Sequence, residues 1–399
     1  MKIALIGDVS LRPALQSAGH ALLELTVHAD ADLAGRIQAG TQAAQQLRGA
    51  GLDALFDRDG AGLLLVQQGG QARVSLLHEA LGVPLVSEFT QPLPVALAAL
   101  TPDALWQCLA SRRWFKLVAD APHADELRRL GVPGVVELPP GAAAASGAER
   151  DALSLPRAVA YHGDARDELF LPGRAHLGSA LRTALLARAA LADGRDAHFA
   201  DACGLALTPD SPLDRRSEYY AARRLYSGMG DVERRVHALR RLSAELPRQL
   251  LVSGEGWERN GISATREARP ALINLAFTPP DAEAGLEPAA LAAALSGGML
   301  LCEAATGAAQ WLERGRECET FGSAPELIEK CRHYLEHADE ALTIGAAGRA
   351  RCLREHSHRA RLGRLAAAVA ELRGLDASSP PGVPASVALD AVQPAATRY

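Results

Sequence analysis

Two stretches of the chain combine residue types in a spacing that can do chemistry. The first is Leu250-Leu251-Val252-Ser253-Gly254-Glu255-Gly256-Trp257, an apolar strand running into Gly-x-Gly-Trp. Two glycines let a backbone come close to a ligand, and Trp257 offers an aromatic face to a base. Arg259 stands where the third glycine of a dinucleotide fingerprint would be, so a G-x-G-x-x-G reading fails on spacing. The second is Val159-Ala160-Tyr161-His162-Gly163-Asp164, again a strand ending on glycine. Turn N–H groups at such a step can face a phosphate where a helix follows. His162 and Gly163 are therefore candidate phosphate contacts.

Acid–base chemistry has its candidates in the first half of the chain. Apolar runs there end at Asp8, at residues 67–70, at Ser87-Glu88 and at Asp120. In a doubly wound sheet, ligands sit at the carboxyl ends of the strands. Asp8 or Glu88 could serve as a general base for an acceptor hydroxyl. Polar residues also end most buried strands simply because the chain leaves the core there.

These side chains must be positioned by α/β units. Residues 3–7 form a short apolar run ending in glycine, as expected of a buried parallel strand, and a helix follows over 13–18. Strands are expected at 21–27, 61–66, 83–88, 117–120 and 135–138, with helices at 74–81, closed by Gly82, and at 123–130. Residues 139–148 are rich in Pro, Gly and Ala without periodicity, the composition of a linker. The strand–helix alternation then restarts at 157. Helices are expected at 177–192, 215–226 and 232–246, a strand at 272–275, and a capping box at Ser323-x-x-Glu326. Asp376 onward reads as a disordered tail.

Composition excludes several classes. The 399 residues suggest two domains, and 48% hydrophobic with 22% charged residues is ordinary for a globular protein. A net charge of −5 gives no nucleic-acid footprint. Six cysteines without C-x-x-C spacing read as reduced, buried thiols, and no metal site is expected. The uncharged run 288–302 is shorter than the roughly 20 residues of a membrane span. No signal core follows Met1, so a cytoplasmic location is expected. The Arg pairs at 215–216, 223–224, 234–235 and 240–241 are spaced as solvated helix faces, and His20, His356, His358 and Arg359 read as structural.

Residues 295–372 resemble the C-terminal end of group 1 nucleotide-sugar glycosyltransferases, especially the CgeB-like branch. The resemblance rests on the Ser296-Gly297-Gly298 turn before Met299-Leu300-Leu301-Cys302, on Glu313-Arg314-Gly315-Arg316-Glu317, on Gly348-Arg349 and on Glu355-His356-Ser357-His358-Arg359. Gly254-x-Gly256-Trp257 and Asn274 are similar to that family's donor-side steps. The resemblance implies a GT-B fold: two Rossmann-like, doubly wound α/β domains facing a cleft. The implied division is an acceptor-side domain over 1–145, a linker over 146–156, and a donor domain over 157–374 whose last helix returns to the first domain, with 375–399 as the tail. It assigns His162, Gly163, Gly254, Glu255, Gly256, Trp257, Asn274, Gly297 and Gly298 to the donor and gives Arg234 and Arg235 a minor claim. One position departs: Ala292 occupies the place of a donor-binding Glu, and no Arg lies between Arg269 and Arg314.

The implied activity is transfer of a sugar from a nucleoside-diphosphate sugar to a protein or glycan acceptor, with no obligatory cofactor. Ala292 keeps a second reading open, a glycosyltransferase-like protein that has lost donor binding and serves as an assembly partner. A sugar-nucleotide epimerase, which shares the fold, is the third.

Overall fold

The structure, a computed structural model, describes residues 1–7, 9–27, 33–67, 73–90, 93–97, 100, 102–138, 141, 155–165, 182–185, 199, 208, 211, 213–228, 231–278, 288–304, 311–365 and 386–388. The chain forms two compact units. The first comprises Met1–Leu138, Leu169–Ser227 and Leu362–Tyr399; the second comprises Pro139–Glu168 and Gly228–Arg361.

The first unit is built on β1 (Lys2–Ile6), β2 (Ala21–Leu25), β3 (Ala54–Arg58), β4 (Leu65–Gln67), β5 (Arg73–Leu76), β6 (Leu85–Phe89), β7 (Trp114–Val118) and β8 (Val135–Glu137). Six of these make a sheet of order β2-β1-β3-β6-β7-β8, parallel throughout. Its helices are α1 (Arg12–Ser17), α2 (Leu33–Leu47), α3 (Leu77–Leu81), α4 (Leu93–Ala96), α5 (Pro102–Leu109), α6 (Ala121–Arg129) and α7 (Leu213–Gly228). Ile3, Leu5, Phe56, Val86, Phe115, Leu117 and Val136 form a core with Leu365 of the C-terminal segment. Strands buried on both faces read as continuous apolar runs, which is why β1, β6 and β7 were legible.

Two local expectations fail here. The strand expected at 61–66 lies instead at Ala54–Arg58, and only Leu65 and Val66 of the expected run are strand, in β4, which forms a separate antiparallel pair with β5. Asp57 causes the misreading. It sits at a strand position but is fully buried, accepting a hydrogen bond from Gly62 N as the chain turns. The helix expected over 74–81 is divided between β5 and the five-residue α3.

Residues 169–227 were expected in the second domain, yet they group with the first. A buried polar network on α7 accounts for this. Tyr219 Oη donates to Glu126 at 2.5 Å and Arg223 Nη1 lies 3.7 Å from the same carboxylate, with His123 Nδ1 at 3.5 Å. Burial acts to raise the Glu126 pKa, but Arg223, His123 and Tyr219 outweigh it and hold the carboxyl at about 2. The helix expected over 177–192 is described only at 182–185, which are helical.

The second unit contains β9 (Val159–His162), β10 (Leu250–Ser253), β11 (Ile273–Ala276), β12 (Met299–Glu303) and β13 (Glu319–Phe321), a parallel sheet of order β10-β9-β11-β12-β13. Helices α8 (Asp231–Glu245), α9 (Pro288–Leu295), α10 (Ala324–Glu336) and α11 (Ala338–Arg351) connect or cover it. Half of the expected capping box forms: Ser323 Oγ accepts from Glu326 N at 3.4 Å, but the Glu326 carboxylate accepts from Gly322 N at 2.8 Å, one residue before the N-cap. Because β10 lies on one side of β9 and β11 on the other, the winding reverses between β9 and β11. That reversal makes their carboxyl ends the expected ligand crevice.

Within the span expected to be a disordered tail, β14 (Ser386–Ala388) pairs antiparallel with β5 and extends the β4–β5 pair to three strands. Ordered main-chain hydrogen bonding there departs from the compositional reading. Among the described residues, no helix is long and apolar enough to cross a membrane.

Candidate functional site

At the reversal point of the second sheet, the ends of β9, β10, β11 and β12 bring together His162, Ser253, Thr278 and Glu303, with the first turns of α8 above them. His162 is exposed, and its Nδ1 lies 3.0 Å from Ser253 Oγ. Arg234 of α8 pairs with the Glu303 carboxylate and donates through Nη2 to the Thr278 carbonyl at 2.9 Å. Glu303 Oε2 in turn accepts from Thr278 N at 3.1 Å. Arg235 Nη1 donates to Tyr161 Oη at 2.8 Å. The Arg234 side chain keeps 45% of its surface, whereas Glu303 keeps only 16%. A guanidinium held by a carboxylate and a carbonyl is pre-oriented, and one that keeps nearly half of its surface suits a phosphate.

Sequence reasoning named Arg234 only in passing and missed Glu303. The available signal was a carboxylate ending a buried apolar strand, the same signal that singled out Glu88. The pairing of Arg234 with Glu303, 69 residues apart, leaves no local trace.

Several expected donor residues are placed differently. Trp257 does not offer a face to a base. It is fully buried, edge-on to Tyr161 at 5.6 Å, and its Nε1 donates to the Gly163 carbonyl at 2.7 Å. Asn274 is also a core residue: its side chain clamps Ala271, donating to the carbonyl at 2.9 Å and accepting from the N–H at 3.1 Å. Gly298 answers to that clamp, since a Cβ there would overlap the Ala271 carbonyl and the Asn274 amide. Gly297 packs its carbonyl against Gly345 of α11.

Gly254 has a φ of +125°, and a Cβ on it would overlap the Gly163 carbonyl. The glycines of Gly-x-Gly-Trp thus let residues 163–165 and 254–256 cross closely. Glu255 N donates to Asp164 Oδ1 at 2.7 Å, and Ala165 N donates to the Glu255 carbonyl at 2.8 Å. Gly256, with φ +86°, packs on the Ala165 carbonyl. Of the expected set, His162, Gly163 and Glu255 remain at the surface of the site, and the others build its frame. In the Glu313–Glu317 turn, Arg316 Nη1 donates to Glu313 Oε2 at 3.1 Å and Glu313 N to Glu317 Oε2 at 2.9 Å, while Arg314 Nε reaches out to Glu319 Oε1 of β13 at 3.2 Å.

The carboxyl edge of the first unit's sheet holds the acid–base candidates. Asp8 lies outside the described residues. Glu88 is nearly buried at 7% exposure and accepts from Ser10 Oγ. Ser87 accepts from Trp114 Nε1 at 2.7 Å, and Asp120 caps α6, accepting from His123 N at 3.4 Å; both serve the frame. Asp57, which sequence reasoning missed together with its strand, has its carboxyl pushed up to about 7 by burial, against hydrogen bonds from Ser87 and Gly62. Among the described residues, no group of three His, Cys, Asp or Glu is placed to hold a metal ion.

Comparison with known proteins agrees with this architecture. Residues 233–367 match the family model described as glycosyl transferase-like. Among solved structures, the chain is similar to Anabaena HepE in complex with UDP-glucose, at 11% identity and a TM-score of 0.51, covering 93% of this chain and 100% of that one. It is also similar to sucrose-phosphate synthase from Thermosynechococcus elongatus, at 14% identity and a TM-score of 0.50, covering 95% and 100%. No curated protein matches the sequence. At these identities the structural likeness establishes the fold, which is that of the GT-B glycosyltransferases.

Proposed function

We propose that this chain, a GT-B-fold protein carrying a glycosyl transferase-like domain, transfers a sugar from a nucleoside-diphosphate sugar to a protein or glycan acceptor. The observation that carries the reading is Arg234, held between Glu303 and the Thr278 carbonyl where the second sheet reverses its winding. Departure of a nucleoside diphosphate builds negative charge on the leaving phosphate, and a pre-oriented guanidinium stabilises that charge more than it stabilises the ground state. His162 and the Gly163 turn lie at the adjoining strand end and add donors for the same diphosphate. Leaving-group stabilisation by these groups makes no demand on a metal ion.

The acceptor hydroxyl needs a base, for which Asp8 and Glu88 of the first unit are the candidates. HepE was solved with UDP-glucose, which makes UDP-sugars the first donors to test. The test is a thermal-shift and calorimetric panel of UDP, GDP, CDP and dTDP with their sugars, followed by donor hydrolysis. Binding of one nucleotide, weakened at least tenfold by Arg234→Ala, is the expected result. A folded protein that binds and hydrolyses none of them overturns the reading.

One observation favours a second reading, a donor-free binding protein. Ala292 is exposed on α9, at the position where the resembling enzymes carry a donor-binding Glu. Nucleotide binding that is absent from the wild type and appears in Ala292→Glu would establish it.

A further inference from the structure

We propose that the first unit carries a second binding site, away from the strand ends that hold the acid–base candidates, for a small amphiphilic anion: one carboxylate or phosphate on a short apolar body. The site is a cavity of about 630 Å³ between the C-terminal half of α2, β4 and α3. That volume falls within the roughly 300–1,000 Å³ of small-molecule sites. Leu52 and Val83 line it and lie two residues before β3 and β6, so the cavity sits beside the amino ends of these strands. Glu88 stands near the other end of β6.

The packing of α2 creates the space. At Gly40 the helix approaches β4 so closely that a Cβ would overlap the Leu65 carbonyl. One turn further on, Ala44 lines the cavity, as does Ala80 of α3. Side chains this short leave room that larger residues would occupy. Leu47, Leu52, Leu81 and Val83 supply the apolar wall, and all but Leu47 are only half-buried. An apolar ligand body takes that surface out of water.

The polar groups of the same cavity set the sign of the ligand. Arg48, directly after α2, and Gln67, the last residue of β4, both line it and are exposed. Among the described residues, neither side chain has a hydrogen-bond or ion-pair partner. The carboxylates next to the lining are already engaged: Asp53 accepts from Lys2 N at 2.7 Å and Glu79 from Ser111 Oγ at 2.6 Å. Arg113 Nη1 comes within 3.7 Å of where a Gly82 Cβ would stand, between the lining residues Leu81 and Val83, and adds a second positive charge to that side. An unengaged guanidinium presents a fork of N–H donors that fits a carboxylate or a phosphate, and the Gln67 carboxamide adds donors of its own. Gln67, expected from the sequence at a strand end of the main sheet, thus belongs to a different site, because β4 lies outside the six-stranded sheet.

Isothermal titration of the full chain with octanoate and octyl phosphate, against octylamine of the same chain length, tests the proposal. At least one anion is expected to bind, the tighter one identifying the head group, with the amine at least tenfold weaker. Arg48→Gln, at an exposed position, should weaken that anion at least tenfold. Ala80→Phe, which fills the cavity from an exposed position on α3, should abolish binding. Arg234→Ala should leave the affinity unchanged, because Arg234 belongs to the second unit. No binding of either anion, equal binding of the amine, an affinity indifferent to Arg48→Gln, or a loss on Arg234→Ala overturns the proposal. Arg48→Gln decides the matter even where Ala80→Phe lowers stability. The site does not rest on the proposed function: a chain that binds the anion but no nucleotide sinks the donor reading and leaves this cavity standing.

Discussion

Replacing Trp257 by Phe separates a core tryptophan from a nucleotide platform. Trp257 is fully buried and its Nε1–H donates to the Gly163 carbonyl at 2.7 Å. The substitution removes that hydrogen bond, for about 1 kcal/mol. It also removes roughly 40 Å³ of side chain from a packed core, which at about 24 cal/mol per Å³ adds about 1 kcal/mol for the void. With the lost transfer energy of the smaller ring, Trp257→Phe should destabilise the second unit by roughly 2–3 kcal/mol, and Trp257→Ala by about 3–5 kcal/mol. Urea titration followed by far-UV circular dichroism measures this. Nucleotide affinity at a temperature where the variant is folded should change less than about twofold, because the ring touches no solvent. Were Trp257 a stacking platform, the loss would be about 1–3 kcal/mol of binding, or 5- to 150-fold in Kd, with little change in stability. A Trp257→Phe protein as stable as the wild type but deficient in nucleotide binding would refute the structural assignment.

Further outcomes follow from the same geometry. Glu303→Gln should weaken nucleotide binding less than Arg234→Ala does, since it leaves the guanidinium in place but loosens its orientation; isothermal titration compares the two, and equal affinities for wild type and both variants would remove Arg234 from the site. Gly254→Ala should destabilise the second unit by more than about 3 kcal/mol, from positive φ and overlap with the Gly163 carbonyl, read as a lower urea midpoint. Asp57 has a folded pKa near 7, above the roughly 3.9 of an unfolded chain, so the folded state holds the extra proton between those values. First-unit stability should then fall as pH rises from about 4 to 7, by at most roughly 4 kcal/mol, and Asp57→Asn should flatten that slope. Glu126 is opposite in sign: its folded pKa near 2 lies below the unfolded value, so its contribution of about 3 kcal/mol is present above pH 4.5 and lost as pH falls toward 2. Glu126→Gln should remove that acid-side loss, which a urea titration series across pH measures.

The two-sheet α/β architecture was legible because parallel strands buried on both faces spell themselves as apolar runs ending in glycine or a polar residue. Val159–His162, Leu250–Ser253 and Ile273–Ala276 appear in the chain as they do in the sheet. Ala54–Arg58 did not, because its buried Asp57 breaks the apolar pattern and only the Gly62 turn explains how the carboxylate is housed. Glycine spacing correctly marked where chain segments approach closely, but glycine is required as much by a crossing backbone as by a ligand. The overlap of any Gly254 Cβ with Gly163 settles which.

Residue type and local spacing thus determined the fold class, the strand ends at which a ligand would sit, and the capping at Ser323. Only the tertiary structure decided which side chains reach that edge. Trp257 and Asn274, chosen for their chemistry, turn inward because their polar atoms find main-chain partners at 2.7 Å and 2.9 Å. Glu303, unremarkable in the chain, and Arg234, which had only a minor claim, meet across 69 residues because the Arg234 side chain of α8 reaches past the ends of β11 and β12. Such pairings depend on packing between distant segments, which hydrophobic periodicity does not encode.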